Sequence, residues 1–249
     1  LLDGIPIYVP YDGYIDLARL PTFALAGIEV AKGYTSVLYG PNALGGAVNL
    51  VSRRPASAFE AQVSGRLDFD RTGEAQGYRT DLTLGVLRDG WYVQAGAGIL
   101  DRDHFTLSKD FTPGVFQPAG ERKRSASRDV SANLKVGLIP NATDEYALTL
   151  VYQDGEKQAP PYAGPVAANG VFFDWPLYDK RSVYFNGRTA LGGGQLKTRL
   201  FYDRFENSLR RYDTNSYTTQ FRPFAFSSFY NDYTFGGSAY GVQEEIPFY

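Results

Sequence analysis

Polar and apolar residues alternate along several segments of the chain, most clearly between residues 59 and 70. One face carries Phe59, Ala61, Val63, Gly65, Leu67 and Phe69, and the other carries Glu60, Gln62, Ser64, Arg66, Asp68 and Asp70. Because successive side chains of a strand point to opposite sides, the pattern predicts a β-strand with one apolar and one polar face. Soluble β-sandwiches and membrane β-barrels both contain such strands, so this segment alone does not distinguish them.

The same alternation recurs along the chain and gives about eight candidate strands in all. The further candidates are residues 78–86, 91–99, 130–138, 146–152, 182–190, 196–205 and 230–241. Short turns are predicted near 88–90, 140–144 and 192–194, and long polar connections near 101–127, 154–180 and 206–229. Short turns at one end and long loops at the other are typical of outer-membrane barrels. We therefore predict an all-β membrane protein with an antiparallel transmembrane barrel, and a soluble β-sandwich binding module is the alternative.

The amino-acid composition of the chain argues against several kinds of binding site and membrane segment. The 249 residues are 15% aromatic and 21% charged, with a formal net charge of −2, so there is no basic footprint for nucleic acid. Cysteine is absent, which leaves no basis for a disulfide framework or a thiolate metal site. No apolar run approaches the length of about 18 residues that a transmembrane helix needs. The sequence contains no Met and opens in mid-pattern, so we expect it to be part of a longer protein.

The first 55 residues differ from the rest in sequence pattern, with turn signals and short segments in place of long alternating ones. Asp3-Gly4 is a tight-turn signal, and Asp16 is placed to cap a short helix that ends at Leu20, before Pro21. The run from Ile28 to Arg54 has two short alternating segments separated by a glycine-rich piece, which predicts a small, tightly turned β element. We therefore place a domain boundary at residues 55 and 56.

Five spaced motifs in this first part carry a resemblance to a known family. They are Leu2-Asp3-Gly4-Ile5-Pro6, Ile28-Glu29-Val30-x-Lys32-Gly33, Ser36-x-Leu38-Tyr39-Gly40, Ala43-x-Gly45-Gly46-x-Val48-Asn49 and Ser52-Arg53-Arg54-Pro55. Together they resemble the plug of TonB-dependent outer-membrane receptors, and residues 56–249 resemble the barrel of that family in pattern only. The resemblance implies that residues 1–55 are the C-terminal part of a small α+β plug domain. Residues 56–249 would then be the N-terminal part of a barrel, about eight of roughly 22 strands.

The resemblance also implies a function, a location and partners. Such receptors lie in the Gram-negative outer membrane, contact its lipid, and import scarce nutrients with energy from TonB and ExbB–ExbD, through an N-terminal box that these residues do not include. A ferric siderophore is the favoured cargo, and cobalamin, haem, another chelate or a carbohydrate are the alternatives. No enzyme activity, resident cofactor or metal site is expected. A barrel enzyme would need a catalytic dyad or triad, and the only histidine, His104, falls in a predicted loop.

Candidate cargo contacts lie in three predicted loops. By position in the family, the loop after the Asp3-Gly4 turn reaches the cargo side of the plug, and the second tight loop is another contact region. Aromatic rings with a polar tip suit flat polar chelates. An equally simple role for the tyrosines is to pack the plug against the barrel wall. The candidates are Tyr8, Tyr11, Asp12, Tyr14, Tyr39, Asn42 and, in the predicted loop 154–180, Trp175.

Arg53 and Arg54 end the plug-like segment, and we predict that they anchor it to the barrel wall. A guanidinium in a polar barrel interior requires a carboxylate or water partner. The polar faces of the first two predicted strands supply Glu60, Asp68 and Asp81 as candidates. Bidentate pairing with carboxylates favours this anchoring role over ligand binding.

Overall fold

The computed structural model describes residues 1–249 except 8, 10–12, 14, 34–44, 167–169 and 244–249. Two short 3-10 turns, Leu17–Arg19 and Thr22–Ala24, precede the strands. The strands are β1 Leu25–Lys32, β2 Gly46–Ser52, β3 Glu60–Phe69, β4 Ala75–Arg88, β5 Trp91–Arg102, β6 Phe105–Thr106, β7 Glu121–Arg122, β8 Ser127–Leu138, β9 Glu145–Gln158, β10 Phe172–Leu191, β11 Gly194–Tyr212 and β12 Phe226–Gln243. Among the described residues, no helix is long and apolar enough to cross a membrane.

The N-terminal segment, residues 1–55, contains a small β element, as its sequence predicts. β1 and β2 pair antiparallel in a sheet of their own. Asp3 and Gly4 both have positive φ, and Leu2 and Ile5 exchange backbone hydrogen bonds of 2.8 and 2.9 Å around them. Positive φ at both central residues is the geometry that Asp-Gly favours in a two-residue turn. The predicted helix after Asp16 is a single 3-10 turn, capped by the Asp16 side chain, which accepts from the Ala18 N–H at 3.2 Å.

Eight of the other strands form one antiparallel sheet in the order β12-β11-β10-β9-β8-β5-β4-β3, which confirms the predicted strand number, and β6 and β7 pair with each other in a sheet of their own. Its shortest strand, β3, has 10 residues, and its longest, β10, has 20. About 9 to 11 residues are enough for a tilted strand to cross a membrane. Each strand of this sheet can therefore cross a bilayer, and β10, β11 and β12 extend well beyond one.

The two faces of this sheet differ as the alternation predicts. One face exposes apolar side chains, such as Val63 (72% exposed) and Leu138 (56% exposed). The other face carries buried polar residues, among them Gln94, Thr149 and Asp203. Because the N-terminal segment lies against the polar face, these residues are shielded by protein. No described part of the chain covers the apolar face, as in strands that meet lipid.

Connections at the two ends of the sheet differ in length. The end with residues 89–90, 139–144 and 192–193 is called the short-turn end, and the end with 103–126, 159–171 and 213–225 is called the long-loop end. The first connection at the long-loop end, residues 70–74, is itself short. At the short-turn end, the Asp144 carboxylate accepts from the Ala190 N–H at 2.8 Å. That hydrogen bond, with those from Asn141 and Thr143, lowers the pKa of Asp144.

Strand β10 begins ten residues earlier than the predicted strand 182–190. Trp175 was predicted to lie in a long loop, and this placement is wrong, because Trp175 belongs to β10. The prediction failed because Pro176 lies within the strand, and proline normally interrupts strand pairing. β10 accommodates it with an irregularity between Asp174 and Leu177, where one extra residue is inserted relative to β11.

Candidate functional site

Several cavities lie between the N-terminal segment and the polar face of the sheet, as far as the described residues define them. The upper cavity opens at the long-loop end and is lined by Asp16, Ala18, Arg19, Arg66, Asp68, Arg79, Leu100, Arg102, Phe105, Ser125, Ala126, Ser127, Asp129, Lys157, Gln158 and Pro160. The inner cavity lies between the N-terminal segment and the eight-stranded sheet, which we call the wall. Apolar residues such as Ile7 and Leu20 line it from the segment, and polar residues such as Thr149 and Gln153 line it from the wall. The lower cavity lies nearer the short-turn end and includes Asp3, Lys135 and Glu145.

Arg19 makes the most buried polar contact between the N-terminal segment and the wall. Its side chain is 6% exposed and pairs with Asp129 of β8 at 2.6 Å. The same Nη2 atom donates to the Tyr178 carbonyl at 3.1 Å, and the guanidinium lies 4.1 Å from the Tyr178 ring centroid. Gly155 of β9 leaves the space that the guanidinium fills, since a Cβ there would overlap Nη2. We call this set, Arg19 with Asp129, Gly155 and Tyr178, the Arg19 contact.

Asp16 makes a second ion pair to the wall, next to the Arg19 contact. Its carboxylate pairs with the Lys157 ammonium of β9. That ammonium lies 5.0 Å from the centroid of the Trp175 ring. A cation over an indole face is attracted by the ring quadrupole. Trp175 therefore supports an ion pair between the N-terminal segment and the wall, and it is not among the described residues that line the upper cavity.

Phe23 packs the second 3-10 turn against β5. Its ring lies over Gly96 and Gly98, and a Cβ at either glycine would meet the ring within 3.0 Å. Beside it, Arg79 of β4 donates to the Thr22 hydroxyl at 3.3 Å. The Gly96-x-Gly98 pattern thus provides a surface without side chains on which an aromatic ring can pack closely.

A buried group near the short-turn end joins the turn at Asp3 to β8. The Lys135 ammonium donates to Ser52 Oγ at 2.7 Å and to Asp3 Oδ2 at 3.3 Å. Asp3 also accepts from the Ser52 N–H at 2.9 Å. Lys135 is 9% exposed. A buried ammonium requires such partners, because an unpaired charge would pay a large desolvation cost.

Arg53 and Arg54 both reach strands of the sheet. Arg53 donates to the Gln62 side chain at 2.9 Å, and Arg54 pairs with Glu145 at 3.1 Å. Glu145 also accepts from the hydroxyl of the fully buried Tyr92 at 2.8 Å. The Arg54 guanidinium lies 5.1 Å from the Tyr92 ring centroid.

The three carboxylates predicted as partners of these arginines have other partners. Glu60 accepts from the Ala56 N–H at 3.4 Å, Asp68 pairs with Arg66 at 2.6 Å, and Asp81 pairs with Arg79 at 2.9 Å. For Asp68 the reason is distance. Arg53 contacts β3 near its start, at Gln62. Asp68 lies eight residues further along β3 than Glu60, which is about 27 Å at the usual rise per residue.

The remaining predicted cargo contacts lie outside the described residues. They are Tyr8, Tyr11, Asp12, Tyr14, Tyr39 and Asn42. Their contact with cargo stays a prediction. Within the described part of the chain, no group of three or more His, Cys, Asp or Glu side chains is placed to hold a metal ion.

Sequence reasoning missed Arg19, Lys135 and Glu145. A signal existed for Lys135, which lies on the polar face of the predicted strand 130–138, whereas Glu145 directly precedes the predicted strand 146–152. For Arg19 the signal was weaker: a lone cation in an otherwise apolar stretch, and a glycine at position 155 beside a strand. None of these signals identifies the partner, which is distant in the sequence.

Comparison with known sequences supports the resemblance of the N-terminal segment. Residues 1–47 match the model of the TonB-dependent Receptor Plug Domain. A vitamin B12 transporter, BtuB, of Vibrio cholerae serotype O1 is 28% identical over 120 residues. That match covers 44% of this chain and 20% of the transporter, so the chain spans only a small part of the relative's length.

Solved structures share the fold. The copper transporter OprC matches with a TM-score of 0.72 at 14% identity, over 99% of this chain and 35% of that one. The siderophore receptor PirA of Acinetobacter baumannii matches with a TM-score of 0.65 at 16% identity, over 96% of this chain and 37% of that one. The ferric enterobactin receptor PfeA of Pseudomonas aeruginosa matches with a TM-score of 0.64 at 16% identity, over 97% and 37%. Residues 1–47 are therefore similar to the plug domain of TonB-dependent receptors, and the chain shares its fold with these solved transporters and receptors.

Proposed function

We propose that this protein imports a scarce nutrient chelate across the Gram-negative outer membrane, driven by TonB with ExbB–ExbD. The observation that carries the proposal is the contact of a plug-type segment with the polar face of a membrane-type sheet through ion pairs, above all Arg19–Asp129 and Lys135–Asp3. Polar contacts of this kind can be exchanged for water when the segment moves. A dry apolar interface would lose hydrophobic stabilisation without replacement.

In this proposal, residues 1–55 act as the C-terminal part of the plug, and residues 56–249 act as barrel wall. The plug model match to residues 1–47 and the separate pairing of β1 with β2 support the first part. The start of the eight-stranded sheet at Glu60 supports the second. Transport then consists of cargo binding and plug rearrangement, with no covalent chemistry.

A ferric siderophore is the proposed cargo. The upper cavity has five basic side chains and three acidic ones among its described lining residues. An excess of positive charge in a partly enclosed site favours an anionic ligand. Ferric complexes of catecholate or carboxylate chelators are anionic, and the flat rings of the catecholates suit contacts with Tyr8, Tyr11, Tyr14 and Tyr39. Asp12 and Asn42 would supply polar contacts.

Cobalamin is the second candidate. Its support is the sequence match to the vitamin B12 transporter of Vibrio cholerae, which extends over 120 residues. The excess of basic residues in the upper cavity would not attract cobalamin as it would an anionic chelate, because cobalamin has no net negative charge. Charge of the cargo therefore separates the two candidates.

Uptake by the complete receptor in outer membranes tests this function. The probes are a ferric tricatecholate, ferric citrate, a neutral ferric trihydroxamate, haem and cyanocobalamin, each with and without TonB. We expect TonB-dependent uptake of an anionic ferric chelate. Uptake of cyanocobalamin alone would favour the second candidate, and no TonB-dependent uptake of any probe would overturn the proposal.

The predicted anchoring role of Arg53 and Arg54 has its own test. Replacing both by Ala should weaken plug retention by about 1 kcal/mol, a modest amount because Arg54 is partly exposed in its pair with Glu145. The plug's resistance to urea, followed by limited proteolysis of the complete receptor, measures this. A double-mutant cycle of Arg54→Ala with Glu145→Gln should return a coupling of similar size. Unchanged retention in the double-alanine variant would refute the anchoring role.

A further inference from the structure

Two side chains of the N-terminal segment, Asp16 and Arg19, lie where two cavities adjoin. Both line the upper cavity, which opens at the long-loop end, and the inner cavity between segment and wall. The Arg19 guanidinium crosses from the 3-10 turn to β8 and β10 and lies in the space left by Gly155. Arg19 is the more buried of the two, and its side chain contributes to the boundary between the cavities.

We propose that Arg19 is the upper gate of a path between the plug and the wall, on the side of β8 to β11. Withdrawal of the guanidinium from Asp129 would join the upper cavity to the inner cavity, whose wall side carries polar groups of β8, β9, β10 and β11 among aromatic rings. Asp129 and the Tyr178 carbonyl are fixed acceptors in the wall, so the arginine is the movable partner. Arg19 thereby controls access from the upper cavity to the inner cavity and takes no part in any reaction of the cargo.

Unpartnered polar atoms support a path here. Thr149 Oγ1 and Asn133 Oδ1 line the inner cavity and are buried without a hydrogen-bond partner among the residues that the structure describes. The same holds for Arg19 Nη1, which lies where the two cavities adjoin. Buried polar groups normally have protein or water partners. Three such atoms around one largely apolar cavity are points at which water or a polar group of a solute can bind.

The position of Asp16 links the gate to the cargo side. Asp16 lies three residues before Arg19, lines the upper cavity and pairs with Lys157. An anionic group entering the upper cavity would compete with Asp16 for Lys157. Loss of that pair would release one of the two ionic contacts that hold this 3-10 turn to the wall. This inference rests on the proposed transport function, in which the upper cavity receives the cargo.

Thiol labelling tests the gate without cargo or TonB. The 249 residues contain no cysteine, so Thr149→Cys places a single reporter in the inner cavity, in a complete receptor cleared of any other cysteine. The probe is a membrane-impermeant maleimide added from the outside. We expect slow labelling in the parent and a rise of about 10-fold or more with Arg19→Ala, because removing one member of a buried ion pair strongly destabilises its contact.

Two further variants keep the test decisive. Gly155→Ala displaces the guanidinium but retains every charge, so it should raise labelling in the same direction even if Arg19→Ala disturbs folding. Arg66→Ala is the matched control, because Arg66 lines the upper cavity, has a 70% exposed side chain and pairs with Asp68 of its own strand. Heat-modifiable migration on gels checks folding in each case. Unchanged Thr149→Cys labelling in folded Arg19→Ala and Gly155→Ala, or an equal rise in Arg66→Ala, would overturn the gate.

The outcome is separable from that of the proposed function. Uptake measurements on the parent receptor decide whether the protein transports a ferric chelate. Labelling decides whether Arg19 closes the inner cavity, whatever the cargo. A receptor that imports cargo but shows no labelling change would retain the function and lose the gate.

Discussion

Replacing Gly137 by Ala should destabilise the receptor by about 3 kcal/mol, from overpacking and from loss of a hydrogen bond to a charged group. Gly137 lies in β8 directly beneath the Tyr92 ring, and a Cβ there would overlap the ring. Tyr92 is fully buried, so its ring has no free space into which it could move. A displaced ring would lose the 2.8 Å hydrogen bond to Glu145 and the contact with the Arg54 guanidinium.

Urea unfolding of the complete receptor in detergent measures this change. Gly65→Ala is the matched control, since Gly65 lies in β3 of the same sheet and has no atom within 4 Å of an added Cβ. We expect the control to change stability little. If both alanine variants unfolded at the same urea concentration, the close packing of Tyr92 on Gly137 would be disproved.

Replacing Lys135 by Met should detach the plug from the wall near the short-turn end. The ammonium is the only described wall cation that joins Asp3 and Ser52, and it is 9% exposed. Its removal takes away the ammonium that pairs with the largely buried Asp3 carboxylate. Breaking a buried pair in this way costs about 3 kcal/mol, which corresponds to roughly a 100-fold rise in local opening.

Amide hydrogen exchange of β2 is the measurement, because β2 ends at Ser52 and hydrogen-bonds to the turn at Asp3. Lys180→Met is the matched control: Lys180 also has a buried partner, Asp203 at 3.1 Å, but that pair lies wholly within the wall. We expect fast exchange of β2 in Lys135→Met and slow exchange in Lys180→Met. Equal protection of β2 in both variants would contradict the role of Lys135.

The strands of the sheet were predictable because their signal is local. The alternation of 59–70 specifies which side chains share a face, whatever the neighbouring strand is. Proline, asparagine and aspartate within 140–144 mark a turn for equally local reasons. Where a local rule misled, at Pro176, the tertiary structure overrode it: β10 continues through the proline because an irregularity in its pairing removes the need for the missing N–H.

The contacts of the candidate site were not predictable in the same way. Arg54 and Glu145 are 91 positions apart, Lys135 and Asp3 are 132 apart, and Arg19 and Tyr178 are 159 apart. The sequence predicts that a cation at the end of the plug segment needs a carboxylate, but several carboxylates satisfy that need. Only the position of the segment against the sheet selects among them.

The sequence by itself therefore determined the class of this protein: alternating strands with short turns at one end, preceded by the plug motifs of TonB-dependent receptors. It did so because strand faces, tight turns and glycine-dependent bends depend on neighbouring residues. The tertiary structure alone decided that Arg19 fills the space over Gly155, that Lys135 holds the turn at Asp3, and that Trp175 supports an ion pair from within a strand. These contacts join residues distant along the chain, and their geometry exists only once the segment lies against the wall.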